Sequence, residues 1–213
     1  MPGKFHHENL YRGPDLLAKL ATLRVTICGV GAIGSNLADN LVRQGVSRLR
    51  AIDHDRVEEH NVSTQAYAEA DVGVWKVEAL RNRLFKVAGV EIEAIRKELT
   101  PQNAKQLLAD CDLVIDAFDN SIARQLVQQT VRSAKIPCLH VGLYEDYCEA
   151  IWDDHYRVPS DVQGDVCDYP LARNLVLLAV LISTEKILTF ASTGAQQDLS
   201  GTLHDLSVRN LET

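Results

Sequence analysis

The segment Gly29-Val30-Gly31-Ala32-Ile33-Gly34 constrains this chain more than any other stretch. It follows Arg24–Cys28, a short β-branched and apolar run that reads as a buried strand, and it opens a helical stretch from Ser35 to Gln44 that ends at Gly45. Arg48–Asp53 then reads as a second strand, closing in Asp53-His54-Asp55. A strand, glycine turn, helix and strand in this order form one β-α-β unit, which requires a parallel sheet. In such a turn one glycine permits the tight bend. A second lets phosphate oxygens approach the backbone, and a third lets the helix pack close to the sheet. The helix N-terminus offers free N–H groups and a positive dipole end to a phosphate. Gly29, Gly31, Ala32 and Gly34 are therefore the candidate nucleotide-contacting positions. Asp53 stands about 20 residues beyond the turn, where an acid meets a ribose hydroxyl. This much does not separate NAD from ATP.

The alternation continues. Lys76–Ala88 reads as helix, Val90–Ile95 as strand, and Pro101–Ala109 as helix with Thr100 as its cap. Leu113–Asp116 is a continuous apolar run, as expected of a strand covered on both faces. Ser121–Ala134 reads as helix and Ile136–Val141 as strand. The pattern predicts an α/β fold: a Rossmann-like, doubly wound, mostly parallel sheet. Before it, Leu10–Leu23 has helical apolar spacing and forms an amphipathic arm. After it come a strand candidate, Tyr144–Trp152, a polar stretch Asp153–Asp168, an apolar helix Pro170–Phe190, and a polar tail from Thr193 with no assigned structure. The expected organisation is a single domain: a helical arm (1–23), a nucleotide-binding core (24–142), and a crossover loop, helix and tail (143–213). The chain's 213 residues, 46% hydrophobic, suffice for one such core.

A formal net charge of −7 argues against nucleic acid as the main partner. Met1–Tyr11 is polar and lacks the apolar stretch of a signal peptide. The longest apolar run, Leu175–Ile182, is too short to span a bilayer, so no membrane association and a cytoplasmic location are expected. Five cysteines with no Cys-x-x-Cys pair argue against a disulfide framework or a local structural zinc site. Cys28 and Cys138 fall in strands and read as core residues, as does His140; Cys111 and Cys148 show no role.

An ordered series of blocks goes further. After the glycine turn come Ala51-Ile52-Asp53-His54-Asp55-Arg56-Val57, then His60-Asn61-Val62-Ser63-Thr64-Gln65, then Val72-Gly73-Val74-Trp75-Lys76-Val77-Glu78-Ala79. Asp112-Leu113-Val114-Ile115-Asp116-Ala117-Phe118-Asp119-Asn120 follows, with Arg124 beyond. Over residues 24–142 the series resembles the ThiF/MoeB/HesA adenylyltransferases and the ubiquitin-activating enzymes. The resemblance implies ATP and magnesium as cofactors and a homodimer. It also implies a small ubiquitin-like or sulfur-carrier protein as partner, activated at its C-terminal glycine carboxylate. It assigns Asp53 to the nucleotide's ribose and Lys76 to its phosphates, with Asp55 as a further nucleotide-binding candidate and Asn61 and Gln65 lining the same loop. Asp119 is assigned to magnesium, for which a hard carboxylate is suited, with Asn120 beside it as ligand or helix cap. Arg124 either orients Asp119 or faces solvent. Cys167, in the crossover loop before the apolar helix, is the candidate thiolate, to take the activated carrier as a thioester or serve as a persulfide or disulfide partner, the alternative being an unreactive loop cysteine.

Three departures from the family pattern stand out. Relatives carry an arginine immediately before the loop glutamine, where this chain has Thr64. They receive an arginine finger from the partner's N-terminal arm, for which Arg12 is the candidate. Many hold zinc through two Cys-x-x-Cys pairs that are absent here. Thr64 keeps open a catalytically silent nucleotide-binding member of the same superfamily. An NAD(P)-dependent oxidoreductase shares the glycine turn and Asp53 but gives no account of Lys76, Asn61 and Asp119-Asn120. A peptide- or tRNA-modifying adenylase of the superfamily is a third alternative.

Overall fold

The structure is a computed structural model that describes residues 3–160 and 170–211. One eight-stranded sheet organises it. Its strands in chain order are β1 (Arg24–Cys28), β2 (Arg48–Asp53), β3 (Glu93–Arg96), β4 (Leu113–Asp116), β5 (Cys138–Tyr144), β6 (Tyr147–Trp152), β7 (Leu199–Thr202) and β8 (Ser207–Asn210). In space they run β3-β2-β1-β4-β5-β6-β7-β8. The first five are mutually parallel; β6, β7 and β8 each pair antiparallel with their neighbours. The order reverses between β1 and β4, so a crevice opens at their carboxyl ends, where such sheets bind ligands.

The strand residues alternate between two cores. Ile27, Ala51, Ile115 and Leu139 face one layer, with α3 (Ala32–Arg43), α4 (Lys76–Ala88) and α7 (Arg173–Thr193). Cys28, Ile52, Val114 and Cys138 face the other, against α5 (Ala104–Leu107) and α6 (Ser121–Ala134). A strand buried on both faces favours apolar residues on both, which is why β4 opens Leu-Val-Ile; Asp116, also buried, is satisfied by His140 and the Phe118 N–H. Leu20, Ile27, Leu37 and Leu41 have no exposed surface, each contributing about 1.5–3 kcal/mol by burial.

Several boundaries differ from those read in the sequence. The arm is two helices, α1 (His6–Arg12) and α2 (Pro14–Thr22), parted at Gly13 with φ +86°. A residue before proline resists the helical region, and Pro14 then starts the next helix. Only Ala104–Leu107 of the expected Pro101–Ala109 helix forms, and Thr100 does not cap it with its side chain. Instead Thr100 N–H donates to Asn103 Oδ1 at 2.9 Å. The third strand is shifted to Glu93–Arg96, and the Tyr144–Trp152 candidate begins three residues later, after a turn from β5. The unassigned tail forms the β7–β8 hairpin on the sheet edge.

The apolar helix is also longer than its apolar run. Ser183, Thr184, Glu185 and Lys186 follow Ile182 without ending it, so α7 reaches 21 residues. By length and composition alone it would be long and apolar enough to cross a membrane. More than half of its most apolar stretch is buried in the fold, against α2, α3 and β5–β7.

Candidate functional site

Two of the three motif glycines are demanded by the protein's own packing. Gly29 has φ +83°, and a Cβ there would lie 3.0 Å from the Ala117 carbonyl oxygen. A Cβ on Gly34 would stand 2.0 Å from the Gly29 oxygen, so α3 could not approach the turn. Gly31 is different: nothing lies within 4 Å of where its Cβ would be. It is the N-cap of α3, no described side chain caps that helix, and Gly31 and Ala32 are half-exposed where the helix starts at the sheet's carboxyl edge. An uncapped, dipole-positive helix end beside a residue that keeps its surface clear fits a phosphate chain.

Asp53, at the end of β2, is 7% exposed. Val30 N–H donates to its Oδ2 at 2.8 Å and Asp55 N–H to its Oδ1 at 2.8 Å. Burial pushes its carboxyl up from the ordinary value, against the pull of Lys76 and of the two N–H donors. Asp53 thus anchors the glycine turn as well as standing at its mouth. Lys76, the first residue of α4, is 8% exposed, and its Nζ lies 2.9 Å from Asp55 Oδ2. Asp53, His54 and Asp55 offer ligand atoms within 4.8 Å of one another, yet both Asp53 oxygens and one Asp55 oxygen already accept hydrogen bonds.

The loop between β2 and α4 folds onto the first turn of α3. Asn36 donates to the Thr64 carbonyl at 2.8 Å, Ala66 N–H to Ser35 Oγ at 3.0 Å, and Tyr67 O–H to the Val30 carbonyl at 2.7 Å. Asn61 is buried in a short 3₁₀ turn, Glu59–Ser63, where its Oδ1 accepts from Glu58 N–H. Gln65 lies next to this turn, and its buried Oε1 has no hydrogen-bond partner among the described residues. Such an orphan acceptor is costly unless something else donates to it.

On the far side of the glycine turn, β4 delivers Asp119, which is exposed. Its Oδ1 accepts only a long 3.4 Å contact from Asn120 Nδ2 among the hydrogen bonds described. Asn120 caps α6, its Oδ1 accepting from Ala123 N–H at 2.8 Å. Arg124 takes neither of its expected places. It is buried, donating to Tyr156 Oη at 2.9 Å and to the Val141 carbonyl at 2.8 Å, with Asp116 Oδ2 at 3.8 Å. His140 is wholly buried, as a satisfied core residue should be. Its Nδ1 lies 2.8 Å from Asp116 Oδ2 and its Nε2 3.1 Å from Asp153 Oδ1, with Tyr156 stacked at 3.8 Å.

Residues 7–154 match the ThiF family, which covers more than half of the chain. The chain belongs to the ThiF family. It is 33% identical over 153 residues to the sulfur carrier protein ThiS adenylyltransferase of Bacillus subtilis, covering 68% of this chain and 46% of that one. It is 30% identical over 135 residues to the SAMP-activating enzyme E1 of Haloferax volcanii, covering 62% and 50%. The chain therefore spans about half the length of these curated relatives. Among solved structures, Escherichia coli MccB crystallised with ATP superposes with a TM-score of 0.83 over 99% of this chain and 71% of that one. At 16% identity that likeness speaks to the fold.

Within this ThiF-family site the remaining candidates fall apart in space. Arg12 is held in its own chain, with Nη2 2.6 Å from Glu185 Oε1 on α7 and Nε 2.9 Å from Glu8. Cys167 lies outside the described residues. Sequence reasoning passed over Trp75, which is sandwiched between two guanidinium groups. Arg56 lies 3.8 Å and Arg96 3.6 Å from the centre of its ring. The stack fastens the loop just before Lys76 to the end of β3. Only Trp75 preceding Lys76 hinted at it, because Arg96 is joined to the site through the β2–β3 register.

Proposed function

We propose that this chain adenylates the C-terminal carboxylate of a small, glycine-ended sulfur-carrier or ubiquitin-like protein, with ATP as the second substrate. One observation carries the reading: three adjacent strands present complementary groups at one sheet edge. Strand β1 leads into the uncapped α3 end at Gly31, β2 leads to Asp53 and Lys76, and β4 leads to Asp119. A carboxylate oxygen attacks the α-phosphorus, the bond to the bridging oxygen of the β-phosphate breaks, and pyrophosphate leaves with the electron pair. Charge grows on phosphate oxygens throughout, so N–H donors and cations held in place there lower the barrier. The α3 N–H groups and Lys76 supply them, and Asp53 is placed for the ribose. Asp119 suits magnesium, which when bound neutralises phosphate charge. Capture of the acyl group by the Cys167 thiolate, with AMP leaving, would be a second step. Leu10 and Tyr11 on α1, and Leu177 and Leu181 on α7, are exposed, a surface that supports a homodimer.

The test is carrier-dependent exchange of labelled pyrophosphate into ATP, run with a panel of small glycine-ended β-grasp proteins. Exchange with one carrier, reduced about 100-fold or more in Asp119→Ala, is expected. ATP binding with no exchange under any carrier would favour the silent member of the superfamily that Thr64 keeps open.

A further inference from the structure

The proposed reaction needs cations around the phosphate chain, and most of those near the edge are already engaged. Lys76 is paired with Asp55, Arg124 is buried against Asp116 and Tyr156, and Arg56 and Arg96 lie on Trp75. The 3₁₀ turn and Thr64 lie directly on the first turn of α3, held there by Asn36, yet Thr64 brings no charge. Arg173 opens α7 on the same side. Its side chain is exposed, and its Nη1 lies 3.5 Å from the Ser63 carbonyl, one residue from Thr64. It pairs with no carboxylate among the described residues. The long contact to a single carbonyl leaves most of the five N–H donors of a guanidinium available. Such a fork recognises phosphate oxygens in pairs.

We infer that Arg173 is a polyphosphate-binding residue, reaching over the Ser63–Thr64 backbone to supply from α7 the cation that Thr64 does not. The inference rests on the ATP site proposed above.

Binding distinguishes this from a structural role without requiring turnover. The full chain, as wild type, Arg173→Ala, Arg173→Lys and the Arg173→Ala/Thr64→Arg double variant, is titrated calorimetrically with ATP and with AMP. Arg173→Ala should weaken ATP about tenfold or more while leaving AMP and the thermal midpoint unchanged. Arg173→Lys should fall between, and Thr64→Arg in the Arg173→Ala background should restore ATP affinity. ATP affinity within about twofold of wild type, equal losses for ATP and AMP, or no recovery in the double variant would overturn the inference. Wild type that binds neither nucleotide would instead sink the ATP site itself.

Discussion

At the scale of single residues, the three motif glycines do different work. Gly34→Ala sets a methyl 2.0 Å from the Gly29 carbonyl oxygen and must push α3 off the sheet. It is expected to cost at least about 1–3 kcal/mol. Gly31→Ala meets nothing within 4 Å, so it should leave the thermal midpoint in place yet weaken ATP binding in a calorimetric titration. Asp53→Asn is expected to cost about 1–3 kcal/mol in urea unfolding, because its new NH₂ would face the N–H of Val30 or Asp55. The spacing of the motif showed that all three glycines and Asp53 belong together. It weighted the glycines alike, since what separates them is the folded geometry of the turn: Gly34 against the Gly29 carbonyl, Gly29 against Ala117 just after β4, and Gly31 against nothing. Thr64 was legible as a missing cation; Arg173 was not, because more than a hundred residues separate two groups that meet only when α7 packs beside the turn.

At the scale of elements, Asp116, His140, Asp153 and Arg132 lock β4, β5, α6 and the turn after β6 together beneath Asp119. Burial pushes the Asp153 carboxyl up, but hydrogen bonds from His140 and Arg132 outweigh it and hold the group below the ordinary value. A carboxyl lowered on folding stabilises fully above its unfolded value of about 3.9, and that stabilisation fades as pH falls through the folded value. Asp153→Asn should therefore lose about 1.5–3 kcal/mol at pH 7. The gap to wild type in urea unfolding should narrow below about pH 4. A gap that stays constant with pH would contradict this account. Strands β1 and β4 were readable because each is a mostly apolar run that ends at a glycine or an aspartate, and β2 because its last residues, Ala-Ile-Asp, follow the glycine turn's helix at the expected spacing. The β7–β8 hairpin was not, because Leu-Ser-Gly-Thr and Ser-Val-Arg-Asn carry little strand preference and form by pairing onto β6. The break in the arm was written in Gly13-Pro14, but the helical spacing of its leucines masked it.

At the scale of the whole molecule, a parallel half carrying the proposed nucleotide site is joined to an antiparallel extension, and α7 packs against both α3 and strands β5–β7. What the fold cannot hide is which bond is made. The most direct test gives the protein ATP and a carrier whose C-terminal carboxylate bears ¹⁸O, with hydroxylamine to intercept the activated acyl group. Attack by the carboxylate on the α-phosphorus, followed by acyl transfer, leaves a carboxylate oxygen on the departing nucleotide, so AMP should carry the label. Unlabelled AMP, or ADP with labelled inorganic phosphate, would contradict adenylation of the carrier's C-terminus.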